Sequence, residues 1–203
     1  MTALALIHII DDDEAVRDSL QFLLEAAGYR VRPHVSALAF LDEAPEAVAA
    51  CCIISDVRMP GMDGLELQAA LARRGGHPQL IFMTGHGDVP LAVRALKAGA
   101  VDFLEKPFGE EAILAAVQNA MARARQQHDR VAAALLARER LATLTPRERE
   151  VLEALVAGNP NKIIAFDLGL SPRTVEVHRA RVMEKMQARS LSELVRLSLA
   201  AQD

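Results

Sequence analysis

The sequence predicts a doubly wound, parallel, five-stranded α/β domain followed by an all-α domain of four helices. Three observations predict it. Five short apolar runs alternate with amphipathic stretches over the first 110 residues, and from about Glu110 onward the periodicity is helical only. Charge also divides along the chain: net −8 over residues 1–122, net +3 over residues 123–141 and net +1 over residues 142–203. Strands alternating with helices imply parallel pairing through crossover helices. At 203 residues the chain can build two small cores. The expected division is a first domain over 1–122, a helical linker over 123–141 and a second domain over 142–203.

The expected strands are residues 4–10, Arg30–His34, 51–55, 80–83 and 102–104. Several are apolar without alternation, as parallel strands buried on both faces should be. The expected helices between them are residues 14–27, Ala37–Glu43, Gly64–Arg73 and 89–98, stopped by Gly28, Gly75–Gly76 and Gly99. A long helix then starts near Glu110. Val117, Met121, Ala124, His128, Val131 and Leu135 recur at alternating spacings of four and three, a heptad-like seam weakened by His128 and the small Ala124. Either this helix continues as a linker to about Leu141, or its first half packs on the first domain alone. In the last 60 residues, Thr145-Pro146 with Glu148 opens one helix and Gly158 and Pro160 close it. Asn161 is the expected cap of the next, Ser171-Pro172 opens a third, and a fourth starts at Ser192.

Composition excludes several classes. Aromatics are 3% with no Trp, too few for a platform that stacks single-stranded bases. Cys51 and Cys52 are adjacent and the only cysteines, so neither a disulfide framework nor zinc spacing exists; they read as buried strand thiols. No apolar run approaches the ~18 residues of a membrane span, and no signal peptide is evident. A soluble, cytoplasmic protein is expected.

The strand ends carry the chemistry. Asp11, Asp12 and Asp13 follow the first strand, Asp56 the third, Thr84 ends the fourth, and Lys106-Pro107 follows the fifth. Doubly wound sheets place their sites at the carboxyl ends of the strands, so these groups should converge. Packed carboxylates repel unless a divalent cation relieves them, and an all-oxygen donor set suits magnesium. Lys106 adds a point charge for a phosphoryl oxygen and Thr84 a hydroxyl. A carboxylate nucleophile, a metal, a lysine and a hydroxyl together make a phosphoryl-transfer site.

Ile9-Ile10-Asp11-Asp12-Asp13, residues 56–64, Thr84-Gly85-His86 and Lys106-Pro107-Phe108 resemble the flavodoxin-like receiver domain of two-component response regulators. The resemblance covers about residues 4–125. It implies that Asp56 is phosphorylated by a sensor histidine kinase. It also implies magnesium held by Asp12, Asp56 and the backbone carbonyl of Arg58, with Asp11 acting through water. Thr84 and Lys106 would contact the phosphoryl oxygens, and Phe103 occupies the aromatic switch position. A phosphoryl group adds about −1.5 to −2 charge. Thr84 moving toward it would leave space for Phe103 to turn inward, although Phe103 reads equally well as ordinary core.

Residues 172–181 form a candidate recognition helix. Ile163, Ile164, Leu168, Val175, Val182 and Met186 should bury one side of the module, leaving Arg173, Glu176, His178, Arg179, Arg181 and Lys185 outward. This is the layout of a helix-turn-helix whose second helix enters the major groove. About residues 144–200 resemble the LuxR-type output domain of the NarL/FixJ subfamily, through Asn161-Lys162 with Ile164-Ala165 and through Thr174-Val175 with His178. The resemblance implies phosphate contacts from Lys162, His178 and Lys185, and a dimer contact on DNA from the last helix. Glu176 could read cytosine, Arg173 or Arg179 guanine, and Val177 a thymine methyl. Thr174 and Arg181 complete the expected DNA-binding set.

The expected protein is a phosphorylation-activated transcription regulator, not an enzyme. Its partners would be a histidine kinase, a second copy of itself, promoter DNA and RNA polymerase. Before phosphorylation the first domain would mask the helical module. FixJ-like relatives control nitrogen-fixation or low-oxygen genes; other members answer to aromatic hydrocarbons or tetrathionate. Two rivals come from other classes. An aspartyl-phosphate phosphatase typically has a second acid two residues after its nucleophile, where this chain has Arg58. The other is an adaptor whose helical module binds protein.

Overall fold

The computed structural model describes residues 6–43, 52–75, 78–85 and 89–201. Strands β1 (Leu6–Ile10), β2 (Arg30–His34), β3 (Cys52–Asp56), β4 (Gln79–Thr84) and β5 (Asp102–Glu105) pair in parallel in the order β2-β1-β3-β4-β5. Helices α1 (Glu14–Ala26), α2 (Ala37–Glu43), α3 (Gly64–Arg73) and α4 (Val89–Lys97) connect them. The doubly wound class expected from the alternation is thus the one observed. Cys51, Gly76, His86 and the first two residues of the expected 4–10 strand lie outside the described residues.

Strand periodicity sorts the side chains into two layers. Ile7, Ile9 and Ile54 join Leu20 and Leu24 of α1 in one core. Ile10 and Ile53 join Phe40, Leu67 and Leu71 in the other. Ile53 and Ile54 are neighbours in sequence and sit in opposite cores, which is why β3 is apolar on both faces until Ser55 and Asp56 at its carboxyl end. Gly28 adopts φ 87°, and its N–H and that of Tyr29 bond back to Glu25 and Leu24, closing α1 as the glycine predicts.

Helix α5 (Glu110–Ala142) is continuous for 33 residues. Two compact units share it, Met1–Gln127 and His128–Asp203. In the first, Ile113, Val117, Ala120 and Met121 are buried against β-sheet residues. In the second, Ala137 is buried and Leu141 packs on the helical core. The heptad-like seam is therefore not one surface. Val117 and Met121 are buried, whereas Val131 and Leu135 are 53% and 54% exposed.

The second unit adds α6 (Pro146–Val156), α7 (Asn161–Asp167), α8 (Pro172–Met186) and α9 (Leu191–Ala200). Thr145 and Glu148 form a reciprocal capping box, and Ser171 caps α8 through the Thr174 N–H. Three expectations change. Asn161 is not a cap: Pro160 precedes α7 without a side-chain bond, and Asn161 lies inside the first turn. Ser190, not Ser192, opens α9, accepting from the Glu193 N–H. Ile163 is 47% exposed. The buried face of α7 is set by Ile164, Ala165 and Leu168, and Ile163 lies about 100° around the helix from Ile164.

Candidate functional site

Asp56 is the last residue of β3 and Thr84 the last of β4, while Asp11 and Lys106 directly follow β1 and β5. Parallel pairing brings all four to one sheet edge. Carboxylate oxygens of Asp11, Asp12 and Asp56 lie within 4.8 Å of one another. Asp11 is fully buried, Asp56 half-buried and Asp12 exposed. Lys106 Nζ donates to Asp11 Oδ2 at 2.7 Å and to Asp56 Oδ2 at 3.0 Å. Burial acts to lower the Lys106 pKa, but hydrogen bonds and charge from Asp11 and Asp56 outweigh it and hold the ammonium above its ordinary value.

The turns are fixed by local bonds. Asp11 Oδ1 accepts from the Asp13 N–H at 2.9 Å, and Asp13 caps α1 by accepting from Ala15. Asp56 Oδ1 accepts from the Arg58 N–H at 3.2 Å. Asp63 and Glu66 form the capping box of α3. Gly64, at the start of α3, sits so close that a Cβ there would lie 2.7 Å from the Asp56 carbonyl oxygen and 2.8 Å from Phe82 Cε1. Thr84 is buried and its carbonyl accepts from the Lys106 N–H at 2.6 Å. Phe103 is half-buried beside Phe82, ring centroids 6.5 Å apart.

The structure adds Arg17, whose Nη1 donates to the Asp11 carbonyl at 2.7 Å. Its sequence signal is a cation in the first turn of α1, where the helix dipole disfavours it, next to four consecutive acids. A second missed feature is a buried imidazole pair. His8 Nδ1 and His34 Nε2 are 2.8 Å apart, with Phe40 edge-on to both. Burial, then the neighbouring His34 and Arg32, push the His8 pKa down to about 4. Burial likewise lowers His34, opposed in part by Glu43.

In the helical unit, Lys162, Arg173, Glu176, Val177 and Arg181 are exposed. Val175, Val182 and Met186 anchor the opposite face of α8 in the core. Thr174 is half-buried, its hydroxyl 2.8 Å from that of Ser171. Arg179 Nη1 reaches Asn161 Oδ1 at 3.4 Å, tying α8 to α7. His178 is half-buried, and its Nδ1 has no hydrogen-bond partner among the described residues. Lys185 is engaged internally: its Nζ donates to buried Glu148 Oε2 at 2.6 Å and to the Thr143 carbonyl at 3.1 Å. Hydrogen bonds from Lys185 and from Thr145 hold the Glu148 pKa at about 2.

A sheet of this order with acids, a threonine and a lysine at one edge defines a receiver, and the attached helices define an output module. Comparison with known proteins agrees. The response regulator receiver domain family matches residues 7–118. The bacterial regulatory proteins, luxR family, matches residues 142–198. The transcriptional regulatory protein FixJ of Azorhizobium caulinodans is 57% identical over 96% of this chain and 92% of its own. FixJ of Bradyrhizobium diazoefficiens is 51% identical over 99% and 98%. The solved structure of the response regulator StyR superposes with TM-score 0.80 at 38% identity, over 97% of this chain and 99% of that one. The chain belongs to the response regulators with a LuxR-type output domain. It is a FixJ-like two-component transcriptional regulator, a family whose receivers imply a histidine kinase partner and whose output domains imply DNA binding.

Proposed function

We propose that Asp56 takes a phosphoryl group from a phosphohistidine of a sensor kinase, and that the modified chain dimerises and binds promoter DNA. The observation that carries this is Lys106 bridging Asp11 and Asp56 beside Asp12. Asp56 attacks phosphorus in line. The new bond is Asp56 O–P, the bond broken is N–P, and the imidazole leaves with the electron pair. Lys106 neutralises charge growing on the phosphoryl oxygens. Thr84 lies at the same sheet edge, placed to supply its hydroxyl, and Phe103 to follow it. The donor set fits magnesium, since all three side chains offer hard oxygens and one is exposed. Asp12, Asp56 and the Arg58 carbonyl would hold the ion directly, with Asp11 through water. When bound, it would neutralise charge on the transferring group.

A dimer surface on the receiver is supported by α4, which exposes Val89, Val93 and Leu96. DNA binding is assigned to α8. Arg173, Glu176, Val177 and Arg181 face the groove, with Thr174 and Arg179 at its edges and Lys162 and His178 near phosphates. Lys185 could reach a phosphate only by loosening its bond to Glu148. The receiver is taken as residues 1–122, the linker as 123–141 and the output domain as 142–203. The FixJ relatives favour control of nitrogen-fixation or low-oxygen genes over other pathways, with RNA polymerase as the downstream partner. No described helix is long and apolar enough to cross a membrane, and we place the protein in the cytoplasm.

The test is phosphoryl incorporation from a small-molecule phosphodonor with magnesium, followed by sedimentation and footprinting. Asp56→Asn should abolish incorporation, dimerisation and induced protection. Full incorporation in Asp56→Asn would refute the assignment.

A further inference from the structure

We propose that Arg17 is a positioning residue for the divalent cation at Asp11, Asp12 and Asp56, a role that rests on the cation reading above. Arg17 lies one turn into α1 and folds back, so that Nη1 donates to the Asp11 carbonyl at 2.7 Å. That carbonyl belongs to the peptide joining Asp11 to Asp12. The bond is short and charge-assisted, and it fixes the plane from which the Asp12 side chain extends.

The neighbouring bonds explain why Asp12 needs this. Asp11 is held on every side: its N–H donates to the His34 carbonyl at 3.3 Å, its Oδ1 accepts from Asp13 and its Oδ2 from Lys106. Asp12 is exposed. Among the described residues no hydrogen bond reaches its carboxylate, so its direction is set by the backbone. Arg17 is half-buried and anchors that backbone from the helix side.

Arg17 has two opposing effects on a bound cation. Its charge repels the ion, and its hydrogen bond pre-forms the turn that supplies a ligand. The two predict opposite signs when the side chain is removed. A cation at the N-terminus of a helix is electrostatically unfavourable. Its presence here, aimed at the ligand turn, indicates that the positioning effect is the larger.

The experiment uses the full chain and Mn²⁺ as a paramagnetic probe, with free ion counted by electron paramagnetic resonance. Wild type should bind one Mn²⁺ and Asp12→Asn none. Absence of binding by wild type would defeat the cation reading itself, independently of Arg17. Arg17→Met keeps the apolar stem and removes the donor. It should raise the half-saturating Mn²⁺ concentration about tenfold, the lower end of what losing a group behind a metal ligand costs. Arg17→Ala should do the same, and Arg17→Lys, which can still donate, should recover most of the affinity. Melting in EDTA should change little in all three. Unchanged or tighter Mn²⁺ binding in folded Arg17→Met or Arg17→Ala overturns the proposal, as does Arg17→Lys binding no better than Arg17→Met. Loss of the helical circular dichroism signal in both removal variants also overturns it, since Arg17 would then hold the fold and not the ligand.

Discussion

Lys106 and Lys185 each bond a buried carboxylate, and they show what separates a reactive site from a structural one. Lys106 faces Asp11 and Asp56 together with Asp12, so negative charge remains in excess. Lys185 meets Glu148 one to one, and Glu148 also completes the cap of α6. The first arrangement keeps a net negative charge, which suits the cation and phosphoryl group proposed for it. The second is closed: charge is balanced, and lysine, carboxylate and helix N-terminus satisfy one another. A lysine–carboxylate pair therefore signals function only when the charges around it do not cancel.

Removing the closed pair should have the largest effect. Glu148→Ala leaves Lys185 beside a buried surface and strips the α6 cap, and it should cost about 3 kcal/mol. Urea unfolding of the helical unit should show it, with phosphoryl acceptance at Asp56 unaffected. A loss below about 1 kcal/mol, the level of an exposed pair, would place Lys185 with the solvated lysines.

Acid should weaken the two units in different windows. The folded His8 pKa is lowered from 6.5 to about 4. The unfolded chain then binds more protons, so the contribution is complete above pH 6.5 and is lost as pH falls toward 4. By linkage this is on the order of 3 kcal/mol. Glu148 is lowered from 4.5 to about 2, so its contribution is complete above pH 4.5 and is lost as pH falls toward 2. Hydrogen exchange should show β1 and β2 losing protection first on acidification and α6 and α8 later. Simultaneous loss would remove His8 as the cause.

Gly64→Ala tests the close approach of α3 to Asp56. The added Cβ meets the Asp56 carbonyl, which is backbone and cannot swing aside. About 2 kcal/mol of destabilisation is expected, as for overpacking generally, with slower phosphoryl uptake. Normal stability and rate would show that α3 can slide without moving Asp56. The smallest effect belongs to the exposed Arg147–Glu150 pair. Arg147→Ala should change stability by less than about 0.5 kcal/mol, and a larger loss would mean surface pairs here matter more than the closed pair implies.

Much of the receiver was legible because its logic is local. Apolar runs mark β1, β3 and β4, and the alternation with helices supplies β2 and β5; the parallel rule puts whatever follows each strand at one edge, so Asp11, Asp56, Thr84 and Lys106 could be grouped without knowing the sheet order. The capping boxes at Asp63 and Thr145 are also local, complete within four residues. The helical module was less legible. Adjacent Ile163 and Ile164 look alike until packing chooses a face, and Asn161 looked like a cap although its amide reaches Arg179. The heptad-like spacing in α5 counted apolar positions and could not say that Val117 would be buried and Val131 exposed.

The fold class, the acid-rich edge that holds Asp56 and the helix-turn-helix can all be read along the chain, because each follows from periodicity, turn chemistry or residues placed at strand ends. Packing alone selects the pairing of Lys185 with Glu148, 37 residues away, of His8 with His34 across neighbouring strands, and of Arg17 with the Asp11 carbonyl. The physical reason is range. A buried charge or imidazole takes whichever partner packing brings within about 3 Å, and spacing along the chain carries no record of that choice.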